Sequence, residues 1–396
     1  MSRLSSTISK QALWTSGYIM ILIINALGFL GFNMATVGVP AYSSSLGFEN
    51  ALTGLVTTFA AFAALSIRPI AGYLLSRTSS KTVSFIGFML MALPTLLLSP
   101  LKDFISLLII RLIQGLGWGL ASTACSSIIT QATPFSRLSE GIGFSGAVSS
   151  VTTAVAPVIA ILLVERISGV AMMMFIGLVF LFSGLFVSRL RTTRVSDQNS
   201  NDRNEDRRFL EIGAVFPAAL MFCIAICYSP IITFITPATK ANGLSSATLF
   251  FVLYAIATVT IRPLTGLFVD RYGCTIPTFL SLFTATLSAL LMSIAHTTST
   301  LCLAGFFSGL STGIGMNSLQ TMALKKVSRN KKGLAMSTFL FGFDLGMALG
   351  AVTAGIMIKK VGYNFMFVPF SLFPLVGIIM LLFSFIVKKR KDVTPK

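Results

Sequence analysis

The strongest constraint on this 396-residue chain is its succession of apolar intervals without charged residues, each long enough to cross a lipid bilayer. A membrane-spanning helix needs about 20 predominantly apolar residues. Two such intervals lie between Lys81 and Lys102 and between Glu140 and Glu165. The intervals lack the alternation of polar and apolar residues that outer-membrane strands show. The pattern therefore predicts an all-α membrane protein with 12 transmembrane helices.

The predicted helices follow these intervals in order. Their approximate spans are 13–39, 51–75, 82–99, 104–130, 138–164, 169–188, 209–236, 248–269, 277–294, 301–324, 333–358 and 363–387. The first span is too long for the apolar region of a signal peptide, and no A-x-A cleavage pattern follows it, so we expect it to be the first transmembrane helix. Only 11% of the residues are charged, whereas a soluble domain carries about 25%. This composition also favours a membrane protein.

The distribution of the basic residues predicts the orientation in the membrane. The net charge is +18, which in a soluble protein would suggest binding to nucleic acid. Placing both termini in the cytoplasm puts 22 of the 30 Lys and Arg residues on that side, five outside and three within helices. Short cytoplasmic loops are enriched in Lys and Arg. We therefore expect a multi-pass protein of the cell inner (plasma) membrane with cytoplasmic termini, in contact with lipid and not with nucleic acid.

A polar segment rich in Arg, Asp and Asn, residues 189–208, divides the predicted helices six and six. We expect it to be a cytoplasmic linker. It would join an N-terminal six-helix bundle, residues 1–188, to a C-terminal bundle with a basic cytoplasmic tail, residues 209–396.

The two halves also repeat each other in sequence. Residues 66–72, SIRPIAG, match residues 260–266, TIRPLTG, at an offset of 194. Gly115 and Gly309 keep the same offset. Agreement between separate landmarks predicts that the two six-helix bundles are pseudo-symmetric copies.

Three motifs carry a resemblance to a known family. Residues 266–273, GLFVDRYG, resemble the G-x-x-x-D-R-x-G loop of the major facilitator superfamily, whose N-terminal copy here has Ser76 in place of the acid. Residues 111–117, RLIQGLG, are similar to the family's helix 4 motif R-x-x-Q-G-x-G, which is associated with proton-coupled transport. Residues 156–160, APVIA, resemble the antiporter motif G-P-x-x-G with alanine replacing both glycines. The chain thus resembles the proton-coupled multidrug and metabolite exporters of this superfamily.

The resemblance implies a secondary transporter in which two bundles rock around a central site and move a small molecule together with protons. It also implies a monomer without cofactor or metal. The family loop suggests a cytoplasmic latch formed by Asp270, Arg271 and Glu140.

Charged residues inside the bilayer are costly and are therefore candidates for function. Asp344 lies eleven residues beyond Gly333, about 16 Å deep in a predicted helix, and is the only acid expected near the midplane. Because helices 2 and 11 face each other in the family, we expect Arg68 to contact Asp344. Asp344 is either the carrier of the coupling proton or a permanent structural partner. For Arg262, the repeat partner of Arg68, we expect satisfaction by backbone carbonyls at the helix interface.

Helix 4 supplies the main candidates for the central cavity. Arg111, Gln114 and Trp118 follow the spacing i, i+3, i+7 and share one helix face. The other cavity candidates are polar residues on helices 1, 7 and 10, namely Asn25, Asn33, Tyr228, Asn317 and Gln320. Each amide has the alternative role of bridging two helices by a hydrogen bond.

Two functions remain open. The first is proton-driven export of a small organic molecule, either a drug or a metabolite. The second is uptake or exchange of a small organic anion, because three intramembrane arginines face one aspartate. The sequence has no Walker or H-E-x-x-H motif and no sizeable soluble domain, so an enzyme or a sensor is disfavoured. A channel is disfavoured because a duplicated design suits rocking around a central site.

Overall fold

A computed structural model describes residues 12–47, 50–190, 210–244, 248–325, 327–328 and 331–393. The described residues form α-helices joined by short turns, with no strand among them. The helices are α1 Ser16–Ser45, α2 Asn50–Arg77, α3 Ser80–Leu98, α4 Phe104–Ala132, α5 Leu138–Arg166, α6 Gly169–Arg189, α7 Ile212–Ala241, α8 Thr248–Tyr272, α9 Thr275–Ser293, α10 Thr298–Lys325, α11 Lys332–Phe365 and α12 Phe367–Val393.

Within the described residues, all twelve helices are long and apolar enough to cross a membrane. The predicted fold class is therefore confirmed. Several helices extend past the predicted spans, because hydropathy marks the membrane-embedded part while helical hydrogen bonding continues through the flanking turns. The first and seventh helices reach Ser45 and Ala241. The twelfth begins at Phe367, after Gly362 interrupts α11 with a φ of +75°, a left-handed conformation that favours glycine.

The two halves pack in the same pattern. In the first, α4 packs against α2 and α3, and α1 packs against α5 and α6. In the second, α10 packs against α8 and α9, and α7 packs against α11 and α12. Every pair therefore recurs six helices later, as expected for a duplicated unit. The predicted linker, apart from Arg189 and Leu190, lies outside the described residues.

The repeated glycines permit the closest helix contacts in each half. A Cβ at Gly115 would overlap the backbone carbonyl of Ala60, so α4 and α2 meet backbone to backbone. A Cβ at Gly309 would meet the carbonyl of Tyr254 in the equivalent contact between α10 and α8. Small residues allow this approach between membrane helices. The duplication thus preserved a packing requirement.

The halves meet mainly through α2 with α11 and through α5 with α8. Among the described residues, the hydrogen bonds between the halves come from the last part of α2, α8 and α10 and the first part of α5 and α11. These parts lie on the side where α1 begins and α12 ends, which we call the terminal side. The structure is therefore closed on the terminal side.

Candidate functional site

Arg68 and Asp344 form an ion pair between the halves. Arg68 Nε donates to Asp344 Oδ2 at 2.6 Å, and the two side chains are 5% and 21% exposed. The expected contact between them is present. Arg68 Nη1 also donates to the hydroxyls of Ser122 and Thr123 on α4, both at 2.9 Å. These partners offset the cost of burying the guanidinium, which alone would be several kcal/mol.

The backbone beside this ion pair is also engaged. The Ser337 hydroxyl on α11 donates to the carbonyl oxygen of Arg68. A Cβ at Gly72, one turn further along α2, would lie 2.6 Å from Ser337 Cβ. The helices therefore touch at Gly72, about 8 Å from the end of α2 at Arg77. We call this contact the α2–α11 gate. It extends from the Arg68–Asp344 ion pair to the last residue of α2 and the first residue of α11.

Arg262 occupies the equivalent place between α8 and α5 but has different partners. Its Nη1 donates to the backbone carbonyl of Gly146 on α5, as expected from the sequence. Its own carbonyl accepts a hydrogen bond of 2.8 Å from Asn317 Nδ2. Asn317 Oδ1 in turn accepts from the Ser139 hydroxyl of α5 at 3.0 Å. We call this contact the α5–α8 gate.

Asp270 closes the terminal end of the α5–α8 gate. Its carboxylate accepts from the backbone N–H groups of Ser139 and Glu140 at 3.1 and 2.9 Å. Lys325 Nζ lies 3.6 Å from the same carboxylate. A carboxylate at a helix N-terminus satisfies free N–H groups and interacts favourably with the helix dipole. Asp270 therefore caps α5 across the boundary between the halves.

Among the residues that the structure describes, the α2–α11 gate has no equivalent carboxylate cap. Ser76 stands where Asp270 stands in the other half, and its hydroxyl donates to the Tyr73 carbonyl of its own helix at 2.7 Å. The N-cap residue of α11, Lys331, makes no side-chain capping hydrogen bond. The degraded motif thus corresponds to a structural asymmetry.

Arg111 and Gln114 are buried inside the N-terminal bundle. Arg111 Nη1 donates to Gln114 Oε1 at 3.2 Å, and Gln114 Nε2 donates to Thr95 on α3 at 2.7 Å. The Arg111 guanidinium lies 5.9 Å from the Phe32 ring centroid. Arg111 Nε is buried without a hydrogen-bond partner. Trp118, on the same helix face, stacks on Phe32 with ring centroids 4.3 Å apart.

The two asparagines of α1 bridge to α5. Asn25 Nδ2 donates to Ser149 at 2.9 Å and to Ser145 at 3.3 Å. Asn33 Nδ2 donates to the carbonyl of Phe29 at 2.8 Å and to Thr153 at 3.2 Å. Both side chains therefore adopt the helix-bridging alternative in this conformation.

The candidate cavity residues of the second half lie in different places. Tyr228 lines a small cavity between α7 and α10, and its ring stacks on Tyr254 with centroids 5.6 Å apart. Asn317 and Gln320 were expected in the central cavity. In this conformation Asn317 belongs to the α5–α8 gate, and Gln320 Nε2 contacts Met336 Sδ of α11 at 3.5 Å.

The side chains of the remaining latch candidates make contacts within their own halves. The Glu140 side chain accepts two hydrogen bonds from Arg137, of 2.6 and 2.7 Å, and its backbone N–H donates to Asp270. The Arg271 guanidinium lies over the Tyr272 ring, 5.3 Å from its centroid. Among the described residues, no group of three His, Cys, Asp or Glu side chains is placed to hold a metal.

Sequence reasoning missed the hydroxyl partners of the gates. Ser122, Thr123 and Ser337 bind Arg68, yet each is a small residue in an apolar helix with no signal of its own. The repeat offset does carry a signal, because Thr123 and Asn317 are 194 residues apart and each contacts the arginine of its half.

Comparisons with known proteins agree with this architecture. The model of the Major Facilitator Superfamily matches residues 21–245 and again residues 218–396. The staphylopine export protein of Staphylococcus aureus (strain Mu50 / ATCC 700699) is 24% identical over 386 residues, covering 92% of this chain and 94% of the relative. The quinolone resistance protein NorA of S. aureus (strain MRSA252) is 24% identical over 131 residues, 33% of this chain and 34% of NorA.

A solved structure shows the same fold. FucP, a major facilitator superfamily transporter in the outward conformation, superposes with a TM-score of 0.79 at 15% identity, covering 94% of this chain and 99% of FucP. The family model matches both halves of the chain. The family and fold are those of small-molecule transporters and not of enzymes. The chain belongs to the major facilitator superfamily and is a multi-pass transporter of the plasma membrane.

Proposed function

We propose that this transporter exports a small organic molecule by alternating access and that proton entry drives each cycle. The observation that carries the proposal is the Arg68–Asp344 ion pair across the α2–α11 gate. An ion pair between two moving halves couples the protonation of its carboxylate to the strength of their contact.

The exposures of the pair suggest how a proton acts. Asp344 is 21% exposed and Arg68 only 5%, so water reaches the carboxylate more readily than the guanidinium. Protonation of Asp344 removes its charge and leaves Arg68 with neutral hydroxyl partners in a buried site. Losing one partner of a buried pair costs about 3–5 kcal/mol. We infer that this loss opens the terminal side, where the proton leaves and the substrate enters.

The proposed orientation assigns the closed terminal side to one face of the membrane, and the relatives support a direction of transport. With cytoplasmic termini, the closed terminal side faces the cytoplasm, and the proton arrives from outside. The names of the two S. aureus relatives, an export protein and a drug resistance protein, support outward transport. A cysteine at Thr78, between α2 and α3, should resist an impermeant thiol reagent in intact cells, while one at Lys102 should react. The opposite pattern would reverse the orientation.

Arg111 is the proposed polar contact in the N-terminal bundle for substrate or coupling. Its unpartnered Nε and its contact with Phe32 leave it ready to engage another group when α1 and α4 shift. Arg111→Ala should abolish transport while folded protein remains in the membrane. Full transport by this variant would make Arg111 a packing residue.

Reconstituted protein tests the coupling. Counterflow with a panel of drugs, amino acids and organic acids identifies a substrate, and the same vesicles then measure transport driven by a pH gradient. Asp344→Asn should lose driven transport and retain substrate exchange, because the amide cannot carry a proton. Asp103→Asn is the control, since Asp103 is a carboxylate that caps α4 outside the membrane span. Undiminished driven transport by Asp344→Asn would eliminate the proton role.

The alternative, uptake or exchange of an organic anion, uses the same gates with a different direction of net flux. The same vesicles separate the two functions. When the pH is lower on the outer side, export by antiport predicts that substrate leaves through the transporter towards that side. Symport predicts that substrate moves away from that side under the same gradient. We also propose that one chain suffices for transport, because both gates are formed within it.

A further inference from the structure

The duplication allows the two gates to be compared residue by residue. Arg262 follows Arg68 by 194 residues. The same offset holds between α5 and α11, because Ser337 contacts the carbonyl of Arg68 while Gly143, 194 residues earlier, lies against the carbonyl of Arg262. At this offset, the counterpart of Asp344 in α5 is Ser150.

The α5–α8 gate therefore keeps the arginine and lacks its carboxylate. Arg68 uses Nε for Asp344, and Nε is the atom of Arg262 that is buried without a partner. Among the described carboxylates, none forms an ion pair with Arg262. The Ser150 hydroxyl donates to the Gly146 carbonyl at 3.0 Å, and Arg262 Nη1 donates to that same oxygen. Ser150 therefore stands beside the guanidinium but supplies no negative charge.

The surroundings of Arg262 suit an organic anion. Tyr254 lies about two turns before Arg262 on α8, and its ring stacks on that of Tyr228 with centroids 5.6 Å apart. The Tyr254 hydroxyl lies 3.2 Å from Thr312 Oγ1, which also donates to the Ser308 carbonyl at 3.0 Å, so the tyrosine belongs to a polar network at this end of the site. Phenol O–H groups and a guanidinium are all donors to a carboxylate. Stacked tyrosine rings also offer an apolar surface for the rest of such a molecule.

We propose that a carboxylate of the transported molecule binds Arg262 in the position that Asp344 occupies on Arg68. This inference rests on the proposed transport of a small organic molecule and names the class of that molecule, an organic carboxylate. Nε and Nη2 on one edge of a guanidinium bind two carboxylate oxygens. The substrate thereby completes the α5–α8 gate as Asp344 completes the α2–α11 gate. Closure of the α5–α8 gate would then require bound substrate, and closure of the α2–α11 gate would require a deprotonated Asp344.

Ser150 permits a direct test, because Ser150→Asp supplies the missing carboxylate from the chain itself. Thermal unfolding of the purified full-length protein gives the first readout. Ser150→Asp should melt at a higher temperature than the neutral control Ser150→Asn. In an Arg262→Gln background the order should reverse, since the new carboxylate then lies unpaired. The same order of melting with and without Arg262 would overturn the pairing.

The second readout is ligand binding, followed by the shift in melting temperature at increasing ligand concentration. The probes are sodium benzoate, succinate and citrate, with benzamide and sodium chloride as neutral and inorganic controls. At least one carboxylate should stabilise the wild type, and the concentration needed should rise more than tenfold in Ser150→Asp and in Arg262→Gln but not in Ser150→Asn. Stabilisation by no carboxylate, or equal stabilisation by chloride, would overturn the assignment.

These measurements use no proton gradient and no direction of flux. Carboxylate binding without pH-driven transport would refute the proton coupling and leave the Arg262 site standing. Driven transport of a substrate that has no carboxylate, with Arg262→Gln fully active, would refute the site and leave the coupling standing.

Discussion

Asp344→Asn perturbs the α2–α11 gate with almost no change in side-chain volume. It leaves Arg68, 5% exposed, with the hydroxyls of Ser122 and Thr123 but no carboxylate. Breaking a buried ion pair costs about 3–5 kcal/mol, and we take about 3 kcal/mol because the Asp344 side chain is 21% exposed and Asn retains hydrogen bonding. At about 1.4 kcal/mol per tenfold change, the ratio of closed to open gates should fall about 100-fold.

A cysteine at Leu75 reports this opening. Leu75 is 9% exposed, and a Cβ at Gly333 of α11 would lie 2.7 Å from its Cβ, so the two helices shield this position when the gate is closed. In a background without the five native cysteines, N-ethylmaleimide should modify Leu75→Cys about 100-fold faster when Asp344→Asn is added. This factor follows because the rate is proportional to the small open population. A cysteine at exposed Lys102 is the control and should react at an unchanged rate.

Adding Arg68→Gln supplies the decisive comparison. If the cost arises from an unpaired buried guanidinium, adding Arg68→Gln should slow the modification of Leu75→Cys at least tenfold relative to Asp344→Asn alone. A change of less than threefold in Asp344→Asn, or a double variant that opens further, would refute the electrostatic account of the gate.

Three further predictions follow from the helix ends and contacts. Ser76→Asp should place the missing carboxylate at the first turn of α11 and slow modification of Leu75→Cys at least twofold, because a helix cap contributes about 0.5–2 kcal/mol. Ser76→Asn is the uncharged comparison, and equal rates for the two would exclude a charge effect. Gly115→Ala should destabilise the protein by about 1–3 kcal/mol, because its Cβ would overlap a backbone carbonyl of α2. Gly17→Ala, with nothing within 4 Å, should melt like the wild type, and equal melting of both variants would contradict the packing argument. Hydrogen bonds from the first turn of α4 lower the pKa of Asp103 below its ordinary value of 3.8, so its cap should stabilise fully at neutral pH and be lost as pH falls through the lowered pKa. The difference in melting temperature between wild type and Asp103→Ala should therefore be constant from pH 7 to pH 5 and shrink below pH 3.8, and a difference that grows in acid would contradict this sign.

The twelve helices and the duplication could be predicted from the sequence alone. Both follow from local properties, because the ability of a segment to span the bilayer depends on its own length and composition and not on its neighbours. The sequence also identified Arg68 and Asp344, since a charge within an apolar interval is conspicuous whatever its partner. The roles of these residues in coupling stay predictions.

Which atoms contact each other depends on how the helices pack. Arg68 and Asp344 are 276 residues apart, and their contact depends on the rotation and depth of two distant helices. The same geometry places Asn317 against the carbonyl of Arg262 and Gln320 against Met336. It also brings Ser337, which has no signal in the sequence, to the carbonyl of Arg68. It also left Nε of Arg262 without a partner. Hydropathy fixes which segments cross the membrane, whereas the pairing of buried polar atoms is fixed by how those segments pack.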